Sequence, residues 1–154
     1  MLAIPATRLA APALAPRIAE MSRDTIEFGL GWSWTMARVL RAIQDSSTNV
    51  AVVVQHNQLQ GFGIMQYGDD DAHLVLLAVR PAMRHRGIGR RLTCWLERSA
   101  QVAGIARVRL EARADNHNAI AFYQHLGYRR CSTAKGYYEG RIDAVRLEKA
   151  LLGA

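Results

Sequence analysis

The stretch Val79-Arg-Pro-Ala-Met-Arg84-His-Arg86-Gly87-Ile88-Gly89-Arg90-Arg91-Leu92 decides how this chain is read. It has the form of a strand end, a short turn with two glycines, and a helix start. Glycine lets backbone approach a ligand because no Cβ intervenes. The first N–H groups of a helix have no partner within it, and with the helix dipole they form a ready site for phosphate. Arg84, Arg86, Arg90 and Arg91 surround the turn with positive charge. A phosphorylated ligand is therefore expected there, although Gly-x-Gly alone is a weak signal. Two better-known phosphate loops do not fit. The dinucleotide fingerprint requires a third glycine where this chain has Leu92, and the P-loop requires Gly-Lys-Ser/Thr, with no lysine nearby.

Outward from this turn, His73 to Arg80 is almost wholly apolar and is predicted as a central strand buried on both faces. Ile88 to Ala103 reads as a helix whose apolar face holds Ile88, Leu92, Trp95, Leu96, Ser99 and Ala103, with Gly104 as its stop. Ala106 to Ala112 is the next strand, parallel to 73–80 through the usual crossover. Asp115 or Asn116 caps a further helix with the stripe Ala119, Phe122, Tyr123 and Leu126, ended by Gly127. Tyr128–Ser132 and Ile142–Leu147 are the last predicted strands.

Upstream, a short strand is expected at Thr7–Leu9, a helix over Pro16–Phe28 and a second one capped by Thr35 and running to about Ile43. A loop at 45–49 leads to a hairpin of Val50–Gln55 and Gly61–Gln66, and 68–71 is a turn. The fold class is α/β (α+β): a single mixed, partly parallel sheet flanked by helices, in one domain over residues 1–154.

Half of the 154 residues are hydrophobic, so a core is feasible and disorder is not expected. The formal net charge is +7 and the pI about 10.1. Lysine stands only at 135 and 149, so arginine supplies the other basic residues. Arginine suits phosphate and carboxylate, and this excess keeps open a basic nucleic-acid-binding module, although no helix-turn-helix or RNP pattern supports one. The arginine content also fits a simple compositional bias. Two unspaced cysteines, Cys94 and Cys131, suit a reducing, cytoplasmic setting. The longest apolar run, Leu74–Val79, is too short for a membrane span, and the proline-broken N-terminus does not read as a signal peptide. No metal is expected: His117 and His125 lie eight residues apart with no carboxylate or cysteine to complete a site.

Ligands of open sheets bind beyond the carboxyl ends of parallel strands. The glycine turn, Glu111 and Tyr123 all fall near that end. Read from residues alone, Glu111 beside Arg107, Arg109 and Arg113 is a salt-bridged surface carboxylate. Tyr123, on its helix stripe, is a core tyrosine, and His73 is a structural histidine.

Arg-x-x-Gly-x-Gly, from Arg84 to Gly89, resembles the coenzyme A pyrophosphate signature of the GNAT acetyltransferases. A second stretch, Leu110-Glu111-Ala-Arg113-Ala-Asp115-Asn116-His-Asn118-Ala119-Ile-Ala-Phe122-Tyr123-Gln-His-Leu126-Gly127-Tyr128, is similar to the other hallmark of that family. It looks most like the ribosomal-protein N-terminal-alanine acetyltransferase branch, as do Gly136-Tyr137-Tyr138 and Asp143-Ala144. The match covers roughly residues 73–147, in the family's order.

The resemblance implies an acetyl-CoA-dependent N-acetyltransferase acting on a primary amine, either a protein N-terminus or a small molecule. It implies that backbone amides from Arg84, His85, Arg86, Gly87, Ile88 and Gly89, with Arg90, hold the pyrophosphate. Leu77, Ala78 and Val79 would pair with the pantetheine arm, and the Val79 amide would polarise the acetyl carbonyl. Asn116 would contact the cofactor, Glu111 would be the base, and Tyr123 the acid for the departing thiolate. His73 is a rival base, because some members place a catalytic glutamate there. A third reading is a GNAT fold that only senses CoA. An amine attacks only when unprotonated; an α-amino group asks only a modest base, and a carboxylate raised by a partly apolar site would serve. The early half departs from the family: Gly31-Trp32-Ser33-Trp34-Thr35 only loosely matches its pattern, with Trp32 and Trp34 divided between packing and an acceptor groove. Neither a membrane nor nucleic acid is an expected partner; a homodimer is compatible, but no residue defines its interface.

Overall fold

The computed structural model describes residues 4–151. β1 (Arg8–Leu9) is followed by a 3-10 turn at Pro12–Leu14 and then by α1 (Ala15–Thr25) and α2 (Met36–Gln44). β2 (Thr48–Gln55), β3 (Gln58–Tyr67) and β4 (Asp71–Val79) form an antiparallel meander. A 3-10 turn at Pro81–Met83 leads into α3 (Ile88–Val102), then β5 (Arg107–Arg113), α4 (His117–His125), β6 (Arg129–Tyr138) and β7 (Ile142–Ala150). The seven strands make one mixed sheet in the order β1-β2-β3-β4-β5-β7-β6, which bears out the expected fold class.

Two buried clusters lie on the two sides of the sheet. One joins Ile88, Leu92, Leu96 and Ala100 of α3 and Ile120 and Tyr123 of α4 to β5 and β7. The other joins Ile18 of α1 and Val39 of α2 to Phe62 and Ile64 of β3. Burying each large side chain contributes about 1.5–3 kcal/mol. Two glycines of β3 let α3 settle onto the sheet. A Cβ at Gly61 would lie 3.0 Å from Ile88 Cγ2, and one at Gly63 would lie 2.8 Å from Leu96 Cδ1.

Several expected boundaries move, each for a local reason. α1 stops at Thr25 rather than Phe28 because the chain turns around a buried carboxylate. Glu27 accepts from the Ser22 hydroxyl (3.0 Å), the Ser33 amide (2.7 Å) and the Ser33 hydroxyl (2.6 Å). Phe28 is therefore exposed instead of completing a helical stripe. Thr35 caps α2 as expected, its hydroxyl accepting from the Arg38 amide. The β2–β3 hairpin tightens onto His56 and Asn57, with φ of 53° and 60°. Positive φ at both central residues matches the twist of paired strands, so both strands run longer than expected. The apolar face of α3 is rotated from the expected one. Thr93, Glu97 and Ala100 are buried, whereas Ala103 is exposed. Glu97 is tolerated inside because it accepts from the Tyr128 hydroxyl (2.7 Å) and the Lys149 ammonium (3.0 Å). β6 continues six residues beyond the expected Ser132, to Tyr138, because its register shifts against β7 between Ala134 and Tyr138 break the simple alternation.

β4 is the most consequential difference. It is buried on both faces only in part: fully buried residues alternate with half-buried ones. Its register against β3 shifts, with Ile64 opposite Leu76 but Met65 opposite Leu74, leaving Val75 as a bulge. Ala72 and Leu74 consequently pack towards α3, while Leu76 and Ala78 pack towards α1 and α2. The expected parallel pairing with β5 is present but covers only Asp71–His73 against Arg107–Arg109. Beyond His73 the two strands part, and β4 runs on to Val79 unpaired on that edge. A gap therefore opens in the middle of the sheet.

Candidate active site

The two strand edges that line the gap offer backbone groups to it. The Arg80 amide donates to the Gln60 carbonyl (2.8 Å), on the β3 side. Successive residues of a strand point their backbone groups to opposite edges. The N–H and C=O of Val79 and Leu77 therefore face the gap, whereas those of Ala78 turn to β3. On β5, the Ala114 amide donates to Asp143 (2.9 Å), on the β7 side, so the backbone of Glu111 faces the gap from the other edge, whereas the Arg113 carbonyl accepts from the Asn116 amide (2.9 Å). Unpaired edge groups of this kind call for an extended polar partner.

One end of the gap meets the start of α3. The Arg91 amide donates to the Gly87 carbonyl, the first bond of that helix, and the Arg84 amide donates to Pro81. Between them, among the described residues, the six amides from His85 to Arg90 find no acceptor within the protein. The turn that presents them needs unusual backbone: φ is 63° at His85 and 83° at Gly87. Gly87 is thus required for its conformation, because a Cβ there would meet open space. Gly89 is required for packing, since its Cβ would approach Phe122 Cζ at 3.2 Å. Asn116 acts locally, its side chain accepting from the Ala119 amide (3.1 Å) and capping α4.

Glu111 projects to the other face of the sheet, since its neighbours Leu110 and Ala112 pack towards α3 and α4. It is not a surface carboxylate; its side chain is 7% exposed. Its Oε1 lies 2.6 Å from His73 Nε2 and accepts from the Tyr137 hydroxyl at 3.1 Å. Its Oε2 has only Arg109 at 3.8 Å and Arg146 at 4.0 Å. His73 and Glu111 are thus bonded partners rather than rivals. Burial pushes the Glu111 carboxyl up, but the His73 hydrogen bond and charge, the Tyr137 hydroxyl and Arg109 outweigh it, and the net shift is downward. The surroundings thus lower this carboxyl rather than raise it.

Tyr123 is buried from α4, edge-on to the rings of Phe122 (5.2 Å between centroids) and Tyr128 (5.7 Å). Burial, aided by Tyr138, pushes its hydroxyl well above the ordinary value, so it stays protonated. The hydroxyl has no partner among the described residues, and it is not one of the two sealed, unsatisfied side-chain atoms, Gln60 Oε1 and Arg113 Nε. Tyr138 lies edge-on to Tyr137, 4.9 Å between ring centroids, and burial pushes its hydroxyl up as well.

Sequence reading missed three contributors. Tyr137 had a motif signal but no assigned contact. Glu27 carried none, yet it organises the loop beside the site. Arg113 donates to the Ile26 and Phe28 carbonyls (3.3 and 2.9 Å) and ties that loop to β5. Trp34 packs inside and Trp32 is exposed, which divides the pair of tryptophans.

The profile of the acetyltransferase (GNAT) family matches residues 17–128. The chain belongs to the GNAT acetyltransferase family. It is 35% identical over 96 residues to the [ribosomal protein bS18]-alanine N-acetyltransferase of Escherichia coli K12, covering 60% of this chain and 65% of that protein. The chain thus spans a little under two thirds of the curated relatives it matches first. The crystal structure of the ribosomal-protein-S18-alanine N-acetyltransferase from Escherichia coli superposes with a TM-score of 0.81 at 26% identity, over 96% of this chain and 94% of that one. Arabidopsis thaliana NAA60, solved in complex with acetyl-CoA, shares the fold at 18% identity, with a TM-score of 0.84 over 96% and 98% of the two chains. Among the described residues no helix is long and apolar enough to cross a membrane.

Proposed function

We propose that this chain is an acetyl-CoA-dependent N-acetyltransferase whose acceptor is a primary amine. A protein N-terminus is the first choice, by likeness to the relatives above, and a small-molecule amine the second. The observation that carries this reading is the run of free amides from His85 to Arg90 opening onto the gap between β4 and β5. Those amides suit a pyrophosphate, and the gap-facing backbone of Leu77 and Val79 suits the amide-bearing arm of the cofactor. When bound, acetyl-CoA supplies a thioester carbonyl for an amine to attack.

The roles of the chain's residues follow from their sides of the sheet. Glu111 Oε2, free of hydrogen bonds, takes a proton from the acceptor ammonium. An N-terminal amine, with a pKa of about 8, asks less of a weakened carboxylate than a lysine at about 10.4. The Val79 amide steadies the developing oxyanion. Tyr123, on the α4 side, holds a proton for the departing thiolate. Base and acid thus sit on opposite faces of the sheet.

The test is calorimetry with acetyl-CoA, followed by acetylation of an alanine-initiated peptide and of a small diamine, read by mass. Micromolar binding and peptide turnover support the reading. No binding overturns it, and turnover of the diamine alone moves the acceptor to the second class.

A further inference from the structure

We infer that His73 is a positioning residue, which aims Glu111 and sets its strength as a base from the floor of a solvent-open cavity. The inference rests on the reading of Glu111 as proton acceptor. Three observations support it. First, the two oxygens of Glu111 are unequal. Oε1 is occupied by His73 at 2.6 Å and Tyr137 at 3.1 Å, while Oε2 has no partner closer than Arg109 at 3.8 Å. The arginines add charge from beyond hydrogen-bonding range; only His73 and Tyr137 fix direction. Holding Oε1 leaves Oε2 as the oxygen that meets the acceptor.

Second, the two partners differ in access to water. Glu111 is 7% exposed and His73 19%. His73 also lines a cavity of about 430 Å³ at the start of β4, together with Gln66, Tyr67, Asp71, Arg107 and Arg109. The ring is therefore open to solvent, while the carboxylate behind it is largely shielded.

Third, a short bond transmits charge. A charged ring 2.6 Å from a poorly solvated carboxylate stabilises the anion more than a neutral ring does, and an anion so held is a weaker base. Acetyl transfer should accordingly be faster with the ring neutral than with it charged. The charged groups facing the pair are of both signs: Asp69, Asp70 and Asp71 with Arg107 and Arg109 around the cavity, and Arg146 from β7. Tyr67 and Tyr137, both raised above the ordinary tyrosine value by burial, remain neutral near neutral pH. The imidazole, whose charge depends on its protonation, is thus the side chain of variable charge in hydrogen-bonding contact with Glu111.

The experiment is the pH profile of kcat for acetylation of an alanine-initiated peptide at saturating acetyl-CoA, in wild type, His73→Ala, His73→Gln and Glu111→Gln. NMR titration of the His73 ring in wild type and Glu111→Gln accompanies it. His73→Ala is expected to lose about tenfold in kcat, with the acetyl-CoA KM unchanged. His73→Gln keeps a donor but cannot titrate; it should recover most of the rate at high pH and lose the acid limb seen in wild type. The ring's midpoint should fall in Glu111→Gln, which removes the facing negative charge. An unchanged acid limb in His73→Gln, with Glu111→Gln inactive, overturns this inference alone. An unmoved ring midpoint overturns it without any activity measurement, so the test survives a variant that folds poorly. Wild-type turnover in Glu111→Gln removes the base itself, and this inference with it.

Discussion

The start of α3 and the surroundings of Glu111 do their work with different materials. The first offers main-chain amides, from His85 to Arg90, on one continuous piece of chain. The second collects side chains from β4, β5, β6 and β7 around a single carboxylate. A backbone site tolerates side-chain change but depends on dihedral angles. A side-chain site tolerates backbone drift poorly, because each partner must arrive from a different strand. Mutations should therefore act by different routes at the two places.

The sharpest break between them should come from Glu111→Gln. Removing a positioned base typically costs about 10²–10⁴ in rate, so kcat should fall at least ~100-fold while acetyl-CoA affinity stays within about twofold; steady-state kinetics paired with calorimetry separates the two. Tyr123→Phe should come next, lowering kcat by about tenfold or more. Its hydroxyl has no protein partner to lose among the described residues, so the melting temperature should hardly move; a large drop in stability would instead mark Tyr123 as structural.

Gly87→Val addresses the other region. A Cβ there meets no atom, but φ of 83° is costly for a β-branched residue, by roughly 1–2 kcal/mol. Weaker acetyl-CoA binding, by about tenfold, is expected with kcat nearly kept. Equal loss of kcat at saturating cofactor would show that the two regions are not separable.

The smallest effect is on stability. The folded Glu111 pKa lies below its unfolded value of 4.5. Its favourable contribution is therefore full above that value and is lost as pH falls through the folded one. Unfolding free energy measured from about pH 6 down to about pH 3 should decline more steeply in wild type than in Glu111→Gln, and parallel curves would show that the pair adds no net stability.

The contrast between the regions also explains how much was legible beforehand. The glycine turn is local: phosphate geometry needs a strand end, a left-handed glycine and a helix start in succession, and all three are consecutive in the chain. The same holds for the Thr35 cap and the Asn116 cap, where the partner amide is three residues away. Glu111 and Tyr123 were legible through their motif, but their surroundings were not. His73 lies 38 residues from Glu111 and Tyr137 26 residues away, and no periodicity links such separations. Arginines beside Glu111 in the sequence suggested a solvated carboxylate, yet they are further from it than the histidine.

By itself the sequence determined the kinds of elements, the helix caps, the cofactor turn and the class of chemistry, because these depend on residues close along the chain. The tertiary structure alone decided the bulge at Val75, the insertion of β7 between β5 and β6, and the parting of β4 from β5. It also decided that Glu27 and Glu97 are buried and satisfied, and that His73 and Glu111 are one pair. Each of these depends on register between distant strands, where a shift by one residue turns a side chain to the opposite face.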